Sequence, residues 1–148
     1  MARSRSARRL LLDTCILAEL QKPNGNPAVI RAIEAMDDNA LFLSVLTIAE
    51  IRKGIDKLAP GRRQSHLEEW LSGLVARYQD RILPIDIEIA EIWGRMSARV
   101  EALGSPIPAI DGLIAATALC HDLIVVTRNA RHFEPTGAAV FDPWADQA

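Results

Sequence analysis

Two short apolar runs restrict this chain more than any other feature: Leu10-Leu11-Leu12, closed by Asp13, and Ile124-Val125-Val126, closed by Thr127. A strand sends alternate side chains to opposite faces, so a run with no polar position must be covered on both sides. Sheets buried in that way are built from parallel strands joined by helical crossovers. Strands are expected over residues 9–13, 41–44, 81–85, 123–127 and 138–141. The sequence between the first four of them reads as helix. A short helix runs to Leu20, before the turn Lys22-Pro23-Asn24-Gly25. Asn26-Pro27 supplies an N-cap and a helix-starting proline for a helix with Val29, Ile30, Ile33 and Met36 on one face. Ile48, Ile51, Ile55 and Leu58 mark the next, broken at Pro60-Gly61. Leu67, Trp70, Leu71, Leu74, Val75 and Tyr78 then follow a helical period. Asp86 caps a helix carrying Ile89, Trp93, Met96, Val100 and Leu103 inward, stopped by Gly104-Ser105-Pro106. The last helix, from Pro108 to about His121, turns Ile110, Leu113, Ile114, Thr117 and Ala118 to the core. The expected fold is a three-layer α/β/α sandwich around a central, mostly parallel sheet.

With 148 residues, 49% of them hydrophobic, the chain is expected to form one domain over residues 10–148. Residues 1–9, with Arg3, Arg5, Arg8 and Arg9, read as a basic tail without the apolar core of a secretory signal. A net charge of −2 argues against a broadly basic nucleic-acid coat but leaves room for a local patch. Cys15 and Cys120 both sit in apolar stretches, which reads as reduced, buried thiols of a cytoplasmic protein. No apolar run approaches the length of a membrane span.

Three acids occupy corresponding places. Asp13 ends the first strand, Glu50 lies on the helix after the second, and Asp111 opens the helix after Pro106-Ile107-Pro108. All three fall at the end of their βα units where ligands of open α/β sheets bind. Each has a plainer explanation taken singly: Asp13 caps a helix, Glu50 is a good helix former, and Asp111 complements a helix dipole. Their concurrence points elsewhere. Two carboxylates about 5 Å apart repel by roughly 3 kcal/mol at an effective dielectric of about 20. A divalent cation removes that repulsion, so the set implies a metal. All-oxygen donors suit Mg²⁺ or Mn²⁺, and His66, His121 and His132 form no zinc-like spacing with the cysteines.

The blocks around these acids carry a family resemblance. The segment Leu11-Leu12-Asp13-Thr14-Cys15-Ile16-Leu17-Ala18-Glu19-Leu20 resembles the opening of PIN-domain ribonucleases, most of all the VapC and FitB toxins of bacterial toxin–antitoxin pairs. The resemblance continues in Ser44-Val45-Leu46-Thr47-Ile48-Ala49-Glu50-Ile51-Arg52-Lys53-Gly54 and recurs from Ile107 to Ala118 around Ile110-Asp111-Gly112. It closes with Val125-Val126-Thr127-Arg128-Asn129-Ala130-Arg131-His132-Phe133 and with Phe141-Asp142-Pro143-Trp144. It implies a Mg²⁺- or Mn²⁺-dependent endoribonuclease with Asp13, Glu50 and Asp111 as catalytic acids. Asp13 and Asp111 would hold the metal directly or through water, and Glu50 would hold its water shell or orient the attacking water. Thr14, Thr127 and Asn129 would support them. It also implies a cognate, DNA-binding antitoxin as partner and a homodimer. Two positions depart from the family pattern. Asn129 stands where relatives often have a further acid, which puts a second tightly held metal in doubt. Cys15 stands where many have Asn, and is read as packing.

RNA has to be held by cations. Arg52, Lys53, Lys57, Arg62 and Arg63 cluster near the third helix, while Arg128, Arg131 and His132 follow the late strand. Most are read as solvated, with Arg52–Asp56 as an i,i+4 pair. Arg128, beside the acids, is the expected RNA contact. Trp70, Trp93 and Trp144 are read as packing residues, and Glu19 either borders the groove or is a surface acid. A phosphatase opening with Asp-x-Asp is excluded by Cys15, and no phosphate-cradling glycine loop is present. The remaining alternative is a non-catalytic RNA- or protein-binding module on a PIN-like scaffold.

Overall fold

The computed structural model describes residues 8–145, so most of the expected basic tail, including Arg3 and Arg5, lies outside the described residues. Five strands form one sheet: β1 (Leu10–Leu12), β2 (Leu41–Ser44), β3 (Ile82–Leu83), β4 (Ile124–Val126) and β5 (Val140–Phe141). Their order is β3-β2-β1-β4-β5, and every pairing is parallel, so the sheet is wholly rather than mostly parallel. Among the described residues seven α-helices connect them: α1 (Thr14–Gln21), α2 (Pro27–Glu34), α3 (Val45–Asp56), α4 (Arg62–Arg77), α5 (Ile87–Ala102), α6 (Ala109–His121) and α7 (Ala130–Phe133).

β1 lies at the centre, with Leu10 paired to Leu41 on one side and to Ile124 on the other. Its alternate side chains enter two separate cores. Leu10 and Leu12 join Ile16, Leu17, Leu43, Ile51, Ile55, Leu71 and Leu74, whereas Leu11 joins Met96, Val100, Ile114, Ala118 and Val125. Helices α1 to α4 thus cover one face and α5 and α6 the other, which gives the three layers. The chain builds outward from β1 through β2 to β3, then crosses back to place β4 on the other side of β1. That reversal opens a crevice at the carboxyl ends of β1 and β4.

Local chemistry sets the helix starts. Asp13, Asn26, Ser44 and Asp86 each cap α1, α2, α3 and α5 with a side-chain oxygen. Three residues expected to point inward do not: Val75 (37% exposed), Leu103 (71%) and Ile110 (41%). Periodicity identifies the apolar face of a helix, not how far the neighbouring layer extends along it. Leu103 follows the last residue of α5, and Ile110 lies in the first turn of α6, both at the margins of the packed seam. The short helix α7, with Phe133 fully buried, was not expected.

Candidate active site

Asp13 leaves the sheet edge with its amide still bonded to the Val126 carbonyl at 3.0 Å, so its backbone belongs to the β1–β4 ladder. The side chain is buried, and its two oxygens are separately held. Oδ1 accepts from the Thr14 amide at 2.9 Å, and Oδ2 accepts from the Thr127 hydroxyl at 2.8 Å. Thr127 Oγ1 in turn accepts from the Asn129 amide at 3.1 Å. Thr14 reaches the other way, its hydroxyl donating to Glu50 Oε1 at 3.0 Å. Ser44 caps α3 and fixes the helix that presents Glu50. Asp111 enters from the first turn of α6, and the Gly112 beside it bonds back to the Pro108 carbonyl at 2.9 Å.

The structure brings the three acids within electrostatic reach of one another. Burial pushes the Glu50 carboxyl above its ordinary range, and the charges of Asp13 and Asp111 push it further, against the pull of the Thr14 hydroxyl and Lys53. Burial likewise raises Asp111, followed by the charge of Asp13, with His132 opposing. None of the three has a basic side chain within ion-pair distance among the described residues. They do not close into a preformed cage either: no three His, Cys, Asp or Glu side chains among the described residues stand as a ready metal-holding group. The arrangement is an open cluster of hard oxygen donors, mutually repelling and with no basic side chain in ion-pair contact among the described residues, which fits a divalent cation that keeps part of its water shell.

Other residues resolve differently. Cys15 is half-buried and packs, as expected, but its sulfur also enters the site. Sγ lies 3.8 Å from Asp13 Oδ2 and 3.7 Å from Thr127 Oγ1, and accepts from the Arg128 amide at 3.4 Å. Burial raises its thiol, so it stays protonated rather than nucleophilic. Asn129 contributes its backbone amide; its exposed side chain makes no cap bond to α7. Arg128 is exposed, its guanidinium 5.1 Å from the Trp144 ring centroid. Arg52 pairs with Asp56 and Glu68, the solvated surface role expected of it. Glu19 is structural: it accepts from the Asn26 amide at 2.8 Å and pairs with Lys22. From the sequence, Gly112 beside Asp111 lets another group approach closely, and the structure shows that group to be the Trp93 indole, which the sequence did not identify.

The PIN domain family model matches residues 10–137, most of the chain and all three acids. The chain belongs to the PIN-domain family. Among relatives of this PIN domain, Toxin FitB of Neisseria gonorrhoeae is 36% identical over 93% of this chain and 99% of its own. VapC ribonuclease Y4jK of Sinorhizobium fredii is 33% identical over 91% of this chain and 97% of its own. The crystal structure of FitAcB from Neisseria gonorrhoeae superposes with a TM-score of 0.87 at 35% identity, covering 91% of this chain and 98% of that one. PIN-domain ribonucleases generally depend on a divalent metal. No helix among the described residues is long and apolar enough to cross a membrane.

Proposed function

We propose that this PIN-domain protein is the toxin of a toxin–antitoxin pair, a metal-dependent endoribonuclease that hydrolyses RNA phosphodiester bonds. The observation that carries the reading is the convergence of Asp13, Glu50 and Asp111 on one crevice, two of them raised by burial and mutual repulsion, with no cation paired to any. A non-catalytic binding module has no use for that electrostatic cost. The similarity to a named toxin and a named ribonuclease over nearly the full length supports the same assignment.

In this reading Asp13 and Asp111 hold Mg²⁺ or Mn²⁺, directly or through water. When bound, the ion neutralises charge developing at the scissile phosphate and makes a water acidic enough to supply the nucleophile. Glu50, held by Thr14, orients the attacking water. Thr127 and the Asn129 amide keep Asp13 in place, the kind of support on which ligand geometry depends. Arg128 contacts the RNA backbone. The protein acts in the cytoplasm as a homodimer, and a cognate DNA-binding antitoxin silences it.

Two experiments test this. Purified chain is expected to cleave RNA with Mn²⁺ or Mg²⁺ and to lose cleavage with EDTA or in Asp13→Asn. Cleavage unchanged in that variant would show a contaminating nuclease and overturn the assignment. Expression of the chain alone is expected to arrest growth, and co-expression of the adjacent antitoxin gene to relieve it.

A further inference from the structure

A recess beside Asp111 takes no part in the carboxylate chemistry described above. Its volume is about 260 Å³, and it lies between the 105–108 segment and α7. Pro106, Ile107 and Pro108 form one wall, where two prolines fix the backbone and present apolar surface. Arg131, His132 and Pro135 form the other. Both walls lead to the acids. The Pro108 carbonyl is bonded to the α6 turn that carries Asp111, and His132 acts on the Asp111 carboxyl through its charge. Arg131 and His132 both line the recess and enter none of the ion pairs found among the described residues.

We propose that this recess seats one nucleotide of single-stranded RNA next to the phosphate being cut, with the base against the Pro106–Ile107–Pro108 wall and the phosphate toward Arg131 and His132. The inference rests on the ribonuclease reading above. Unstacked bases of single-stranded RNA are recognised on aromatic, imidazole and guanidinium surfaces, extruded bases also pack between apolar side chains, and arginine suits phosphate. The recess, at about 260 Å³, falls below the roughly 300–1,000 Å³ of small-molecule pockets, so it can seat no more than about one nucleotide. A duplex keeps its bases stacked inside and has nothing to insert. The acid cluster repels an incoming polyanion, and the Arg131 guanidinium at its edge, in no ion pair among the described residues, offsets that repulsion where the strand must enter.

The test measures binding of a short, fluorescently labelled single-stranded oligoribonucleotide by anisotropy, in an Asp13→Asn background that prevents cleavage. Arg131→Ala and His132→Ala are each expected to weaken binding about tenfold, the scale of losing one stacking or phosphate contact. Arg95→Ala, which removes an exposed charge from α5, is expected to leave binding unchanged and so excludes a general charge effect. In a second arm, adenosine 5′-monophosphate is expected to shift the Ile107 and His132 side-chain NMR signals more than inorganic phosphate does. Equal responses to the two would make the recess a plain anion site and overturn the nucleotide assignment. Normal RNA affinity in both alanine variants, with the native chain still cleaving RNA, overturns the recess alone. A native chain that neither binds nor cleaves RNA overturns the ribonuclease reading with it.

Discussion

Thr127 donates its hydroxyl to Asp13 Oδ2 at 2.8 Å, a bond between residues 114 positions apart and both buried. A hydrogen bond to a buried carboxylate is worth about 1.5–3 kcal/mol, and removing the donor leaves a charged acceptor unpaired. Thr127→Val, nearly isosteric, is therefore expected to lower stability by about that amount in urea denaturation. RNA cleavage is expected to fall about 10–100-fold as Asp13 loses its orientation. Thr127→Ser keeps the hydroxyl and recovers most of both. Equal behaviour of Val and Ser variants would deny the bond its role.

At Gly112, α6 lies directly against the Trp93 indole of α5. A Cβ there would lie 2.9 Å from Trp93 Nε1 and 3.1 Å from its Cδ1. Gly112→Ala is expected to destabilise the fold by about 1–3 kcal/mol through overpacking, read as a lower Tm. Trp93→Phe in the same chain restores part of the loss. The smaller ring vacates the contact, and the indole N–H it removes is buried without an acceptor. Strictly additive effects of the two changes would contradict the contact.

Raised carboxyls give stability an inverted pH dependence. In the folded chain, Glu50 and Asp111 hold protons to higher pH than in the unfolded one. The folded state therefore binds more protons in that window, and stability falls as pH rises from the ordinary carboxylate range through the raised values. In metal-free protein, Glu50→Gln and Asp111→Asn are expected to raise Tm at neutral pH, with the gain shrinking as pH falls below that range. Added Mg²⁺ or Mn²⁺ is expected to raise the native Tm by mass action, and less in either variant. A gain that grows toward acid pH would reverse the assigned sign.

Cys15 is expected to alkylate slowly at neutral pH, because burial and the Asp13 charge both hold its thiol protonated. Peptide mapping after iodoacetamide treatment checks this, with the rate climbing only above the ordinary thiol range. Fast modification at neutral pH would place an unrecognised activating group beside the sulfur.

Much of this architecture was legible in the sequence because the apolar runs 10–12 and 124–126 admit burial on both faces only. The caps Asp13, Asn26 and Asp86 were legible for a similar reason, since each offers a short acceptor where a helix must begin. The three acids could be nominated because equivalent positions in successive βα units return to one edge of the sheet. What escaped depends on contacts across layers. The Cys15 sulfur reads as packing in one dimension, and only the docking of β4 places Thr127 and the Arg128 amide around it. Val75, Leu103 and Ile110 fit the right stripe but lie beyond what covers it. The pairing of Arg131 and His132 with the 105–108 segment joins stretches that share no pattern.

The central place of β1 has a temporal consequence. A nascent chain carrying Asp13 and Glu50 still lacks α6, which brings Asp111, and β4, which supplies the Val126 and Thr127 bonds to Asp13. Synthesis proceeds from the amino end, so the three-acid cluster assembles only after most of the polypeptide has been made. For a protein proposed to cut RNA, the long return to the first strand acts as a built-in delay.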